Sequence, residues 1–557
     1  MMKETKTMKT TGRAALLSLA LGAAALGAAA PGCGGRPATW DDFASGGQAY
    51  GLTSAVVLVD PSAARVVALG VDGSGGLTRQ SLATGHDVRA AQVGPLGDKL
   101  FVLSGGHRAG LGDAQPEEAP RLTIVDGTAA PAISSDVALD GLTNPLDGLA
   151  IDPTERWAVV YAAGTSTALV TNPNELVIVD LEAAPPAVHQ VTLHSFGGHP
   201  EKLIFAPELS LPAGAGHLLV VQSDQDLSLL SLDDPTKPDI TVRLADAAAV
   251  TRPHPAEVVF DDGDPAKTDD ARIGVRFDAQ TTVMTLQLQA GTGPQGFAPT
   301  INVSDVGGVP SALAFVRNEG GLRLSALVPD LSAAVLIDPA TTTTSQVMLP
   351  AGYRSLSLVT PPSTPAATAG ATPAATPDVA LLWNGTAAVP GVAFWDLGGG
   401  PFRSVETVGI DGVVDDVLDV PGKNDALKVL STVGSGTAGG AFFVLDLSVR
   451  TATPLLTQAG TVTLSVSLTG ARVWAFQKGG FELAATDLPS GTVRTLTVDS
   501  PASALFEIAR ADGAHALVVL HDGGGGVGAT VFDADAPQED ERRIYGALLT
   551  EGPYAQP

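Results

Sequence analysis

One cysteine is all this 557-residue chain contains, and aromatic residues make up only 5% of it. A single thiol excludes an internal disulfide framework and any zinc site built from several cysteines. Cations are scarce as well. Against 59 Asp and Glu stand 32 Lys and Arg, which leaves a net charge of −27. A nucleic-acid partner needs a basic footprint, and this composition excludes one. Catalytic signatures are missing too: there is no HExxH pair, no Gly-x-Ser-x-Gly elbow and no Walker loop. Only residues 14–30 form an uncharged apolar run that approaches the length of a bilayer span.

Hydrophobic residues are 45% of the chain, beside 64 Gly and 40 Pro. That mixture can bury a core, so it is not the composition of a disordered chain. It suits many short strands joined by turns better than long helices.

The N-terminus has the layout of a secretory signal. Lys3, Lys6, Lys9 and Arg13 precede the Ala/Leu run, and small residues lead into Cys33. Ala30-Pro31-Gly32-Cys33 resembles the lipobox of bacterial lipoproteins, although Ala30 replaces the usual Leu and Pro31 is atypical. The resemblance implies a signal peptide over 1–32, lipidation (palmitate) of Cys33, and a membrane partner through that anchor. Gly34, where an Asp would signal inner-membrane retention, implies the outer membrane. Losing the leader takes the net charge to about −30, a surface that stays soluble and repels anionic headgroups. Residues 33–50 then read as a flexible tether.

The remainder, 51–557, repeats itself. β-Forming strings end in an acid at Leu122–Asp126, Leu176–Asp180, Leu229–Asp233, Ala334–Asp338, Val392–Asp396, Phe443–Asp446, Ala485–Asp487 and Val531–Asp533. Val283–Gln287 fits without the acid, and Val57–Asp60 reads as an N-terminal copy. Two apolar strands precede each later copy and one follows it. In the third unit these are Gly148–Ile151 and Trp157–Tyr161 around a turn at 152–156. An Asp at the end of a strand accepts from backbone N–H groups two residues on and opens a turn. Four short strands cannot bury both faces alone, and stacking such units does.

The expected fold is therefore all-β, a β-propeller of about nine to ten four-stranded repeats, in one large ring or two smaller ones. The units resemble the YVTN-type propeller repeats of bacterial envelope proteins, through the turn before the second strand and the Val-Ile-Val-Asp ending of the third. That resemblance speaks to fold and is almost silent on activity.

Insertions cluster between the first and second strands of units, at 207–216, 261–271 and 361–377, with another between the second and third at 106–120. Variable loops on a rigid scaffold are a usual place for binding. Chemistry is harder to find. Gly523-x-Gly525-x-x-Gly528 matches a dinucleotide fingerprint by letters, but a strand follows where a helix is required. His189, His194 and His199 are five apart, which suits neither a strand nor a helix as a metal trio. The acidic stretches Asp261–Asp264 with Asp269 and Asp270, and Asp533–Glu541, are alternatives between calcium loops and exposed turns. No catalytic residue, metal ligand or cofactor is assigned. The expectation is a non-enzymatic binding or scaffold propeller for an envelope protein or glycan. The alternative is a propeller hydrolase, such as a lactonase, with a channel-bound metal.

Overall fold

The computed structural model describes residues 48–549, apart from 108–116, 129–131, 143, 165–168, 196–198, 224–225, 245–252, 265–266, 360–377, 386–390, 399–404, 411, 424–425, 434–440, 458–461, 524–525 and 547. Cys33, the leader and the insertion at 361–377 lie outside the described residues.

The strings of apolar residues form strands because both of their faces are covered. In the third unit, Trp157–Tyr161 pairs antiparallel with Gly148–Ile151 on one side and Glu175–Asp180 on the other. Both central strands are buried along nearly their whole length, while the outer strand Ala187–Thr192 faces solvent in part. A strand enclosed on both faces reads as a continuous apolar run, and an outer strand does not.

This four-strand meander recurs ten times, in chain order, at 48–83, 88–138, 148–192, 202–243, 255–305, 312–348, 355–408, 413–457, 463–497 and 502–545. We number these blades 1 to 10. First strands approach one another at the 2/3, 5/6, 6/7 and 10/1 junctions, as expected of the innermost strands of a propeller. Blade 4 carries one additional hairpin, Leu209–Leu211 with Gly214–Gly216, between its first and second strands.

Adjacent blades share apolar cores at each junction from 1/2 to 9/10. The tenth core joins blade 10 to blade 1, so the ten blades form a single closed β-propeller. Each blade takes all four strands from one continuous stretch, and among the described residues no strand crosses the 10/1 seam. Closure there rests on fifteen buried apolar residues, among them Leu58, Leu69, Val518, Leu520, Leu548 and Leu549. At roughly 1.5–3 kcal/mol per buried aliphatic side chain, packing outweighs the few hydrogen bonds across the seam at about 1 kcal/mol each. Those bonds include Arg65 Nη2 to the Leu549 carbonyl at 2.6 Å, Ala509 N to the Thr53 carbonyl at 2.7 Å, Ala511 N to the Val71 carbonyl at 3.3 Å, Leu77 N to the Tyr545 hydroxyl at 3.0 Å, and the guanidiniums of Arg510 and Arg543 to the Gly73 and Ser74 carbonyls, each at 2.6 Å.

The first unit departs from its expected register. Val56–Asp60 is the second strand of blade 1, not the third, and Asp60 opens a 3-10 turn over Pro61–Ala63. The third strand is Arg65–Val71, and the acid that follows it is Asp72, which accepts from Ser74 N and Gly76 N, each at 2.8 Å. An Asp before Pro opens a turn after any strand, so the motif at Asp60 mimics the third-strand ending. With Asp72 in place, blade 1 is complete. Its first strand, Gln48–Gly51, begins three residues before the expected edge of the tether.

Candidate functional site

Strand alternation divides the ring into two faces. Turns joining strands 1–2 and 3–4 emerge on one face; turns joining strands 2–3, and the connections between blades, emerge on the other.

The 1–2 face carries a polar link at every blade junction. Thr53 N donates to the Gly97 carbonyl at 2.9 Å between blades 1 and 2. Buried Glu155 accepts from Leu96 N at 3.0 Å and from Lys99 Nζ at 2.9 Å between blades 2 and 3. The hydrogen bond that Lys99 donates to Glu155 raises the Lys99 pKa. Arg156, seated 4.1 Å over the Trp157 ring, reaches Asp233 at 3.7 Å. Arg450 forks onto Asp396 at 2.7 and 3.0 Å and onto Glu406 at 2.9 Å between blades 7 and 8. Lys423 Nζ donates to the Gly470 carbonyl at 3.2 Å, and Leu468 N to Glu507 at 3.2 Å. The belt closes at Ala509 and Thr53.

Between blades 4 and 7 this belt becomes a ridge, where it takes in the inserted loops of blades 4 and 5. The blade 4 hairpin is tied to blade 5 by Ser210, whose amide and hydroxyl both donate to Asp262, the hydroxyl at 3.0 Å. Leu209 and Leu211 anchor the hairpin in the 4/5 core. Asp261 accepts from Gly263 N at 2.7 Å and from Arg317 of blade 6 at 3.5 Å. Burial raises the Asp261 pKa, against the lowering effect of these bonds. Arg317 in turn holds Asp378, at the end of the blade 7 insertion, by its own amide at 2.6 Å. Glu208, Ala213, Asp269 and Glu319 project from the ridge into solvent.

In the acidic stretch at 261–270, Asp261 and Asp262 thus accept from protein donors, while Asp269 is exposed. Asp270 accepts from Asp264 N at 3.1 Å inside the same loop. The stretch at 533–541 is similar. Asp533 accepts from Asp535 N and Ala536 N, Asp535 from His515 N, and Glu539 from the Thr497 amide and hydroxyl. The three histidines are dispersed. His189 lies in the outer strand of blade 3, His194 bonds Asp239 at 2.7 Å, and His199 sits against Gly164. Among the described residues, no three His, Cys, Asp or Glu side chains come together as a metal-ligand group. Gly523 and Gly528 belong to the paired second and third strands of blade 10, so a strand stands where a dinucleotide fold needs a helix.

The opposite face is built differently. At the 2/3 junction, Asn144 accepts from Thr171 N at 2.9 Å and the Thr171 hydroxyl at 2.6 Å, and its amide donates to Glu175. At the 3/4 junction, the Ser195 hydroxyl donates to fully buried Asp226 at 2.9 Å. Glu175 and Asp226 each begin the third strand of their blade. A cavity of about 610 Å³ opens beside Asn144 between blades 2 and 3. Its residues come from three separate loops and, through Arg89, from the first strand of blade 2; the insertion at 106–120, visible in the sequence, supplies Glu117–Pro120. Among the described residues, no helix is long and apolar enough to cross a membrane.

No family model matches the sequence, and no curated protein matches it. Solved structures do resemble the chain at low identity. A dihydro-heme d1 dehydrogenase, NirN, is 14% identical with a TM-score of 0.39, over 73% of this chain and 74% of the other. A streptogramin B lyase is 13% identical with a TM-score of 0.26, over 54% and 83%. The periplasmic gluconolactonase PpgL of Pseudomonas aeruginosa is 14% identical with a TM-score of 0.28, over 53% and 83%.

Proposed function

We propose that this protein is an envelope-anchored lipoprotein whose propeller is a non-enzymatic binding scaffold for a protein or glycan partner. The observation that supports the reading is the ridge on the 1–2 face. Inserted loops from blades 4 and 5 are fastened to each other by Ser210 and Asp262, and through Asp261 and Arg317 to Asp378, the residue that follows the blade 7 insertion. A binding surface needs loops that vary while their roots stay fixed. The anchored hairpin and the closed belt beneath it meet that need. Lipidation at Cys33 would tether the ring to the outer membrane, with more than one acyl chain giving stable anchoring.

The test has two arms. Radiolabelled palmitate should label the wild type and not a Cys33→Ala variant, which should leave the membrane fraction. Labelling of both, or of neither, sinks the anchor. The second arm is capture from envelope extract by the wild type and by a Glu208→Lys/Asp269→Lys variant. The scaffold reading expects a reproducible protein or glycan that the variant loses. An identical catch by both removes the ridge as the binding surface.

A further inference from the structure

The cavity between blades 2 and 3 lies on the face opposite the ridge, and its chemistry is independent of the ridge reading. Its volume, about 610 Å³, is that of a pocket for a small ligand or a side chain. Pro120, Leu142, Pro145 and Leu169 supply apolar walls, and Leu169, at 86% exposed, stands at the rim.

The charges around it do not balance. Arg89 is paired with Asp87 at 2.8 Å, and its Nη1 donates to the Leu146 carbonyl at 3.1 Å. Glu118 is engaged by the His86 ring and by Arg121, which also holds Asp136 at 3.0 Å. Two guanidiniums are therefore matched with three carboxylates, Asp87, Glu118 and Asp136, and Glu117 is a fourth carboxylate beside them. Glu117 lines the cavity and is exposed. The floor is shaped for the Arg89–Asp87 pair, since a Cβ at Gly105 would lie 2.3 Å from both side chains. With the cations neutralised, the group left for a ligand is the exposed Glu117 carboxylate, in a cavity that Leu142, Pro145 and Leu169 also line.

We infer that this cavity binds a cationic group on an aliphatic stem, with the ammonium at Glu117 and the stem along Leu142, Pro145 and Leu169. A lysine side chain of a partner peptide and a free alkyl diamine present the same chemistry. An anion is disfavoured by the local excess of carboxylates and by the net charge of −27.

Ligand-observed NMR titration of the full chain tests this with three probes: the pentapeptide Ala-Ala-Lys-Ala-Ala, its norleucine counterpart, and 1,5-diaminopentane. The lysine peptide, the diamine or both should bind, and norleucine should not. Glu117→Gln should weaken binding about tenfold, the loss of one charge-assisted hydrogen bond. Glu541→Gln, in a separate cavity at the 10/1 seam, should leave it unchanged. Binding by the diamine alone assigns a free amine; binding by the lysine peptide assigns a basic side chain. Equal binding of norleucine, no binding of either amine, or indifference to Glu117→Gln overturns the inference.

Discussion

Aspartates at strand ends act here as turn clasps. Asp446 accepts from Ser448 N at 2.8 Å, the Ser448 hydroxyl at 2.6 Å and Val449 N at 3.2 Å. These bonds, the Ser448 hydroxyl first, lower its pKa, and the same type of bond from Ser74 lowers that of Asp72. A carboxylate with a lowered folded pKa contributes stability above its unfolded pKa and loses it as pH falls through the folded value. The acid limb of unfolding should therefore lie at and below the ordinary carboxylate range. Asp446→Ala should cost about 1 kcal/mol at neutral pH by urea denaturation, and this difference should fade in acid. Glu507 behaves in the opposite sense. Burial raises its pKa, and it accepts from the fully buried Trp474 indole at 2.6 Å. Glu507→Ala should cost ~1–3 kcal/mol, because the indole N–H is left unpaired. Relative to Glu507→Gln, the wild type should gain stability as pH falls through the raised value, since the protonated form favours the folded state. A pH series of denaturation curves on both variants reads this directly.

At the scale of elements, the strands were legible because their burial is simple. A second or third strand is enclosed by neighbouring blades on both faces, and it spells this out as a run such as Leu176–Val179. The third-strand acid was legible because its role is local. Blade 1 shows the limit of that signal: Asp60 and Asp72 both open turns, and only pairing partners tell which strand each one ends. The ridge was half legible. The insertions were visible as Pro- and Gly-rich interruptions, but the bonds from Ser210 to Asp262 and from Arg317 to Asp378 join residues more than fifty positions apart. The cavity by Glu117 was legible only in part: the insertion at 106–120 marks one side of it, but no spacing pattern connects residues 89, 117 and 169. Within the ridge, Gly263 has φ of +73°, and a Cβ there would sit 2.5 Å from Asp270 Oδ1. Gly263→Ala should destabilise the loop by about 1–2 kcal/mol. Amide exchange should quicken over 262–271, while the strands on either side keep their protection.

For the whole molecule, the decisive feature is a ring closed by packing. Leu548 and Leu549 are buried in the seam core, and the Leu549 carbonyl receives Arg65. A chain ending at Tyr545 should lose ~2–5 kcal/mol for each leucine removed. Hydrogen exchange should then rise first in blades 1 and 10, with blades 5 and 6 last. A uniform rise around the ring would mean that the seam is no weaker than any other junction. Because, among the described residues, no strand is shared across that seam, closure of the ring does not depend on which blade comes first. Joining residues 48 and 549 through a linker and opening the chain between blades 5 and 6 should yield the same ring. Nor does any shared strand fix the number of blades. A ring of this design can lengthen by tandem duplication of one whole unit, each newcomer needing only two apolar faces and a place in the belt.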